Sequence, residues 1–263
     1  MLRNLARFIG YSILAGFLAL ALAAVGRGAA LDWRTASQQP VGLAPDPAST
    51  PEAMVQVYSA RAFGWRGIFG VHSWVAVKPA QAKAFTVYEV IGWRLRYGDS
   101  ALVVRLRAPD ARWFGAKPEL LAEKRGAGVD DLIARIDAAA HAYPWAGEYR
   151  LWPGPNSNTF TAWIARAVPE LEVDLPPTAI GKDYLGGSFL APAPSGRGFQ
   201  LSLFGLGGVT ASTVEGIEVN VLGLTFGVNP FDPAIKLPFV GRVGTARAVV
   251  SNTRDETARA ALE

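Results

Sequence analysis

A chain of 263 residues, half of them hydrophobic, can bury a sizeable core and is not a small stapled scaffold. It has no Cys and only two His, His72 and His141, which removes the usual ligands of zinc and iron–sulfur sites together with disulfides and thiol catalysis. The net charge of +4 is scattered among 22 acidic residues rather than gathered in a stripe, which argues against a nucleic-acid surface; no Asp-rich calcium loop is present, and neither a metal nor a cofactor is expected.

Residues 1–27 read as a transmembrane anchor or a signal peptide. Arg3 and Arg7 precede eighteen uncharged residues, Phe8 to Val25, which is span length. The positive-inside rule holds the arginines in the cytoplasm and sends the rest of the chain across the inner membrane. Ala21-Leu22-Ala23 also resembles a cleavage site, but the apolar run continues past it, which favours the anchor. Residues 28–53, with Pro40, Pro45, Pro47 and Pro51, are expected to form an extended, mobile linker.

An α+β core is expected over 54–182. Val55–Tyr58, Val71–Val77, Phe85–Trp93 and Ala101–Arg107 have strand composition, and short connections favour an antiparallel sheet. In the last of these, Leu102, Val104 and Leu106 should face inward and Arg105 and Arg107 solvent. Pro118–Lys124, bounded by Pro118 and Gly126, is expected to be a helix. The stripe Val129, Leu132, Ile133, Ile136, Ala140 and Tyr143 predicts a second, with Asp130 and Asp131 in its first turn, an Asp131–Arg135 pair, and a structural His141 near its end. Residues 183–250 are Gly-rich and alternating, with strands over Gln200–Phe204, Ile217–Leu222 and Leu224–Val228. Their apolar character fits either a sheet packed on the first or a surface that meets lipid or a partner; alternation favours the packed sheet. Residues 251–263 form a polar tail.

The segment WPGPNSNTFT, residues 152–161, joins a Pro-Gly turn to a helix start, since Phe160, Trp163, Ile164 and Ala167 fall at helical spacing. Asn156, Ser157 and Asn158 are then capping residues, or Ser157 is a nucleophile with backbone N–H groups beside it as an oxyanion site. Glu89 lies on the apolar face of Phe85, Val87 and Ile91 and needs a partner, for which His72 on the preceding strand is the candidate. The two either satisfy one another in the core or form the base of a nucleophile-activating set.

The segments GVHSWVAV, YEVIGW, WPGPNSNTF, GRGFQLSLFG and GIEVNVLGL resemble a bacterial family known as domain of unknown function 3750, over roughly Met54 to Gly244. More distantly, the order His strand, Glu strand, helix-start nucleophile is similar to the circularly permuted NlpC-like papain fold of the lecithin retinol acyltransferase group. That resemblance implies a papain-like antiparallel sheet packed by two or three helices, to which the alternating residues 183–250 add a β-rich C-terminal extension. It implies His72 as base, Glu89 as its orienting residue, and Ser157 where the family has cysteine. Asn156, Asn158, Trp74 and Tyr149 complete the candidate binding or oxyanion set. A serine hydroxyl cannot be stored as its anion as a thiol can, so the expectation divides. The chain is either a membrane-tethered hydrolase or acyltransferase acting on an envelope amide or ester, or an inactive binding module for an envelope peptide or lipid.

Overall fold

The computed structural model describes residues 32–245 and 250–252; the stretch Phe8–Val25 lies outside them. No helix among the described residues is long and apolar enough to cross a membrane. The architecture is α+β, with two sheets.

The first sheet is built around β1 (Met54–Arg61), which pairs antiparallel with β2 (Val71–Lys78) and β5 (Glu119–Arg125). Outside β2 lie β3 (Thr86–Val90) and β4 (Leu102–Leu106). A short α1 (Arg66–Phe69) links β1 to β2, and β13 (Val250–Asn252) adds in parallel to β5. Both faces of this sheet are covered. Val55, Val57, Val75, Val77, Tyr88 and Val90 point to one side, where α2 (Val129–His141) and α3 (Ser157–Ala167) supply Ile133, Ile136, Phe160 and Ile164. Met54, Tyr58, Trp74, Ala76, Phe85 and Val87 point to the other, closed by Trp113.

Closing that second face also uses the segment expected to be a free linker. Pro40 bridges Ala111, Gly115 N–H donates to the Ser37 carbonyl, and Asp110 Oδ2 accepts from the backbone of Val41 at 3.2 Å and Leu43 at 2.7 Å. Residues 37–44 are therefore a strap against 110–115, not a mobile tether.

Two further local expectations are corrected. Residues 119–125 are β5 rather than a helix: Pro118 and Gly126 punctuate either element, seven residues hold too little periodicity to decide, and the open backbone edge of β1 is satisfied by a strand. On strand β4, Leu102 packs on the core as expected, but Val104 and Leu106 do not: Leu106 is 70 % exposed, while Arg105 and Arg107 turn toward buried Glu89. On α2, Arg135 turns to Glu170 on the neighbouring segment, with Nη1 2.6 Å from Oε1.

The second sheet is a seven-stranded meander, β6 (Leu190–Pro192), β7 (Gly198–Leu203), β8 (Gly207–Ser212), β9 (Gly216–Val221), β10 (Leu224–Asn229), β11 (Ala234–Leu237) and β12 (Gly241–Gly244). It packs on the rest of the chain, but with its polar face. Gln200, Ser202, Thr210, Glu218, Asn220, Thr225 and Lys236 are buried. The alternate row Phe199, Ala211, Ile217, Val228, Ile235 and Val243, in register across β7 to β12, points outward.

Burying polar side chains is tolerable because they satisfy one another. Glu218 receives Lys182 Nζ at 2.6 Å on Oε2 and Lys236 Nζ at 2.7 Å on Oε1. Lys236 also reaches Asp174 Oδ1 at 2.5 Å, and Asp183 accepts from Lys182 at 2.9 Å and Asn220 at 2.8 Å. Burial pushes the Asp174 carboxyl up to about 6, against the pull of Lys236. For Glu218 burial acts upward, but Lys182 and Lys236 outweigh it and hold the carboxyl below its ordinary value.

Glu218→Gln removes the charge shared by two buried ammonium groups and is expected to cost about 3–5 kcal/mol, the usual penalty for breaking a buried pair from one side. Equilibrium urea unfolding of the variant beside the wild type measures it.

Candidate functional site

The WPGPNSNTFT segment forms the entrance to α3, and Asn156 is its N-cap. Asn156 Oδ1 accepts from the backbone N–H of Asn158 at 2.9 Å and of Thr159 at 3.3 Å, while Thr159 Oγ1 accepts from Asn156 N–H at 3.1 Å, a complete capping box. The Asn156 amide nitrogen donates to the carbonyls of Leu151 and Ile180, both at 3.1 Å. Gly181, at φ +95, lies so close that a Cβ there would collide with this amide.

Asn158 is equally committed. Its Nδ2 donates to Val71 O at 3.0 Å and Ile180 O at 2.8 Å, and its Oδ1 accepts from Ser73 Oγ at 2.8 Å. The N–H groups of Asn158 and Thr159, candidates for an oxyanion site, are thus occupied by the cap; both Asn side chains tie the helix to Ile180, and Asn158 also ties it to β2. Ser157 is 2 % exposed and neighbours the Tyr149 phenol. Burial raises the pKa of that phenol, and Ser157 only partly opposes the rise.

His72 sits elsewhere. Ser73 faces α3, as its bonds to Asn158 and to Thr161 Oγ1 at 2.9 Å show, so His72, its neighbour along the strand, faces the opposite side of the sheet. There the imidazole lies flat on Trp113, with ring centroids 3.6 Å apart, and near Trp74 at 5.7 Å. Glu89, fully buried on the same face, accepts from His72 Nε2 at 3.1 Å on Oε2. Arg105 reaches its Oε1 with Nε at 3.2 Å and Nη2 at 2.9 Å, and Arg107 Nη2 lies 3.4 Å from Oε2. Arg107 also lies over the Trp74 ring, 5.1 Å from its centroid.

This cluster has a clear electrostatic order. Burial lowers the His72 pKa below its ordinary value, with Arg107 and Arg105 acting in the same direction and Glu89 against. The ring is neutral near pH 7, and since Glu89 can only accept, its proton is on Nε2. Burial would raise Glu89, but the His72 hydrogen bond and the arginines outweigh it and bring the carboxyl down to about 2.

The expected catalytic set is therefore split. The structure joins His72 to Glu89 and joins Ser157 to Tyr149, but a strand backbone separates the two pairs. An imidazole 5 % exposed on one face of β2 cannot take a proton from a hydroxyl 2 % exposed beyond the other. Trp74 belongs to the His72 side, where its Nε1 donates to Pro109 O at 2.8 Å. Tyr149 lies against Gly92, where its ring leaves no room for a Cβ.

A family model described as a protein of unknown function, DUF3750, matches residues 52–184. The chain belongs to that family. No curated protein and no solved structure matches it. The DUF3750 match covers β1 to β5, α2 and α3 and ends at Tyr184, so the His72 cluster and the Asn156 cap lie inside it and the second sheet outside.

The DUF3750 region also carries an open cleft beside the ion-paired cluster, about 510 Å³ in volume. Trp93, Trp113, Phe114 and Ile91 give it apolar walls, and Arg94 and Arg105 give it charge. Arg105 spends two nitrogens on Glu89 yet remains 47 % exposed, so it connects the buried pair to the cleft. Sequence reasoning missed Arg105, Arg107 and Trp113. The usable signal was an Arg-x-Arg pair at strand spacing, on the strand next to a lone buried Glu.

A depressed histidine pKa fixes the direction of the pH effect. As pH falls through about 6.5 the unfolded chain takes up a proton that folded His72 refuses, so this residue's contribution to stability is lost on acidification. His72→Gln keeps an N–H donor for Glu89 but cannot titrate. The melting temperature of wild type should fall relative to His72→Gln between about pH 7.5 and pH 5.5, as followed by circular dichroism.

Proposed function

We propose that this DUF3750 protein is a membrane-tethered, extracytoplasmic binding module, and that its ligand occupies the Trp93–Trp113–Arg105 cleft. The observation that carries the reading is the contrast between the two candidate sites. The hydroxyl site is sealed and its helix N-terminus is filled by Asn156. The imidazole site is backed by Glu89 and opens, through Arg105 and Trp113, on a cleft within the volume range of small-molecule sites.

Aromatic walls with a guanidinium at the edge favour a ligand that joins an apolar or ring-bearing body to an anionic group. A carboxylated envelope peptide or a lipid headgroup with part of its chain meets that description. Membrane tethering rests on Phe8–Val25, with the strap over residues 37–44 leading the chain directly to the cleft wall. In this reading the order of His strand, Glu strand and capped helix is kept from a permuted NlpC-like ancestor. His72 and Glu89 then stiffen the cleft wall and orient Arg105.

Two measurements test this. A fluorophosphonate probe is expected to leave the folded protein unlabelled at Ser157, and stoichiometric labelling lost in Ser157→Ala would return the chain to the hydrolases. Anilinonaphthalene sulfonate, an aromatic anion, should show a saturable binding component that weakens by about tenfold, some 1.4 kcal/mol, in Arg105→Gln and in Trp113→Ala. Equal affinity in both variants and wild type would remove the cleft from the proposal.

A further inference from the structure

The outward face of the second sheet has the reverse of the usual distribution. Its large side chains, from Leu190 on β6 to Val243 on β12, are between 38 and 63 % exposed and all apolar. The central row Leu201, Val209, Val219 and Phe226 is in register across four strands, with no charged or hydrogen-bonding side chain interposed. At ordinary strand spacing and rise, seven strands make a patch of roughly 30 by 15–20 Å, at the upper end of what monomers expose. Scattered exposed hydrophobics are ordinary; a continuous face of them marks a contact.

We propose that this face, with the adjoining ends of its hairpins, seats in the interfacial layer of a lipid bilayer. Three observations favour lipid over a second copy of the chain. First, protein interfaces bring about one hydrogen bond per 100–200 Å² and a polar rim, and this face offers no side chain able to make one. Lipid needs none, because the backbone groups of β7 to β11, which carry the centre of this face, are paired with a strand on either side.

Second, the hairpin ends on one side of the sheet, where polar turn residues are usual, carry Phe204, Leu222 and Val240, all exposed. Half-exposed Trp152 donates to Leu222 O at 2.9 Å, and Trp65, under the Arg66 guanidinium at 5.3 Å, reaches Phe239 through Phe69. Tryptophan and arginine bordering an apolar surface is the composition of a membrane interface, and the net charge of +4 suits an anionic one.

Third, the strap and this end of the sheet are linked. Gly115 binds Ser37, Phe114 touches Phe63 with ring centroids 5.6 Å apart, and Phe63 is two residues from Trp65. A bilayer holding Phe8–Val25 would meet the aromatic end of the sheet. The inference shares that anchor with the proposed function but concerns residues remote from the cleft, so either can fail alone.

The chain has no cysteine, so a single label can be placed anywhere. Full-length protein carrying Val219→Cys, or Asp131→Cys on the exposed face of α2, is labelled with the fluorophore NBD and reconstituted into phosphatidylethanolamine–phosphatidylglycerol vesicles, with and without brominated acyl chains. The label at 219 should shift to the blue and lose most of its emission to brominated lipid, and the label at 131 should do neither. A water-like spectrum at 219, quenched by aqueous iodide, would overturn the proposal. So would a blue shift at 219 untouched by brominated lipid and accompanied by self-quenching between labels, which would give the face to a second copy. Ile235→Cys read in a Val219→Asp background guards against a local artefact: a charge at the centre of the face should reduce lipid quenching at 235, and quenching unchanged by it would also count against insertion.

Discussion

Strand β2 is covered on both faces, and successive side chains on a strand point to opposite sides. That geometric constraint sends Ser73 to the helices and His72 to the arginines, and it distributes everything else. On the Ser73 side the polar groups are those that hold α3 in place, Asn158, Thr161 and the capping Asn156, each with its hydrogen bonds made inside the protein. On the His72 side, Arg105 and Arg107 are balanced around the buried Glu89 carboxylate, and Arg105 opens the cluster to solvent. No movement of side chains alone brings the two sets together, because the backbone of the central sheet lies between them.

The two buried ionic clusters solve a common problem differently. Glu89 is surrounded by cations on a face otherwise aromatic, and its nearest neutral partner, His72, is locked in one tautomer by a residue that can only accept. Glu218 stands between two lysines under the second sheet, where Gln200, Asn220 and Lys236 are buried and paired with Asp183, Glu218 and Asp174. Polar networks of this kind are costly unless complete. Here that pairing is what allows the second sheet to turn its apolar side chains away from the protein, and this reversal is the chemical basis for expecting a lipid contact there.

Much of the fold is legible in the sequence. The stripe from Val129 to Tyr143 and the Asn156 cap before Phe160 are local patterns, and both elements form where the patterns place them, because helix periodicity and capping need only neighbours along the chain. The need of Glu89 for a partner, and His72 as that partner, follow from the expense of an isolated buried charge. Residues 119–125 were not legible in this way, since a short segment between proline and glycine takes its state from the strand edge it meets. Nor was the inward turn of Arg105 and Arg107, which depends on the register between β4 and β3.

What the sequence by itself determined is the alternation: which residues share a face along β2, β3 and β7 to β11, and which residues start α3. Only the tertiary structure decided which side each face would take. Parity assigns His72 and Ser73 to different faces but does not say which one meets α3, because that depends on where a helix some eighty residues later docks. The same holds for the second sheet, where Leu201 and Gln200 alternate unambiguously. Burial of the Gln200 row was settled by Lys182, Asp183 and Asp174, side chains from another segment that make a polar interior satisfiable.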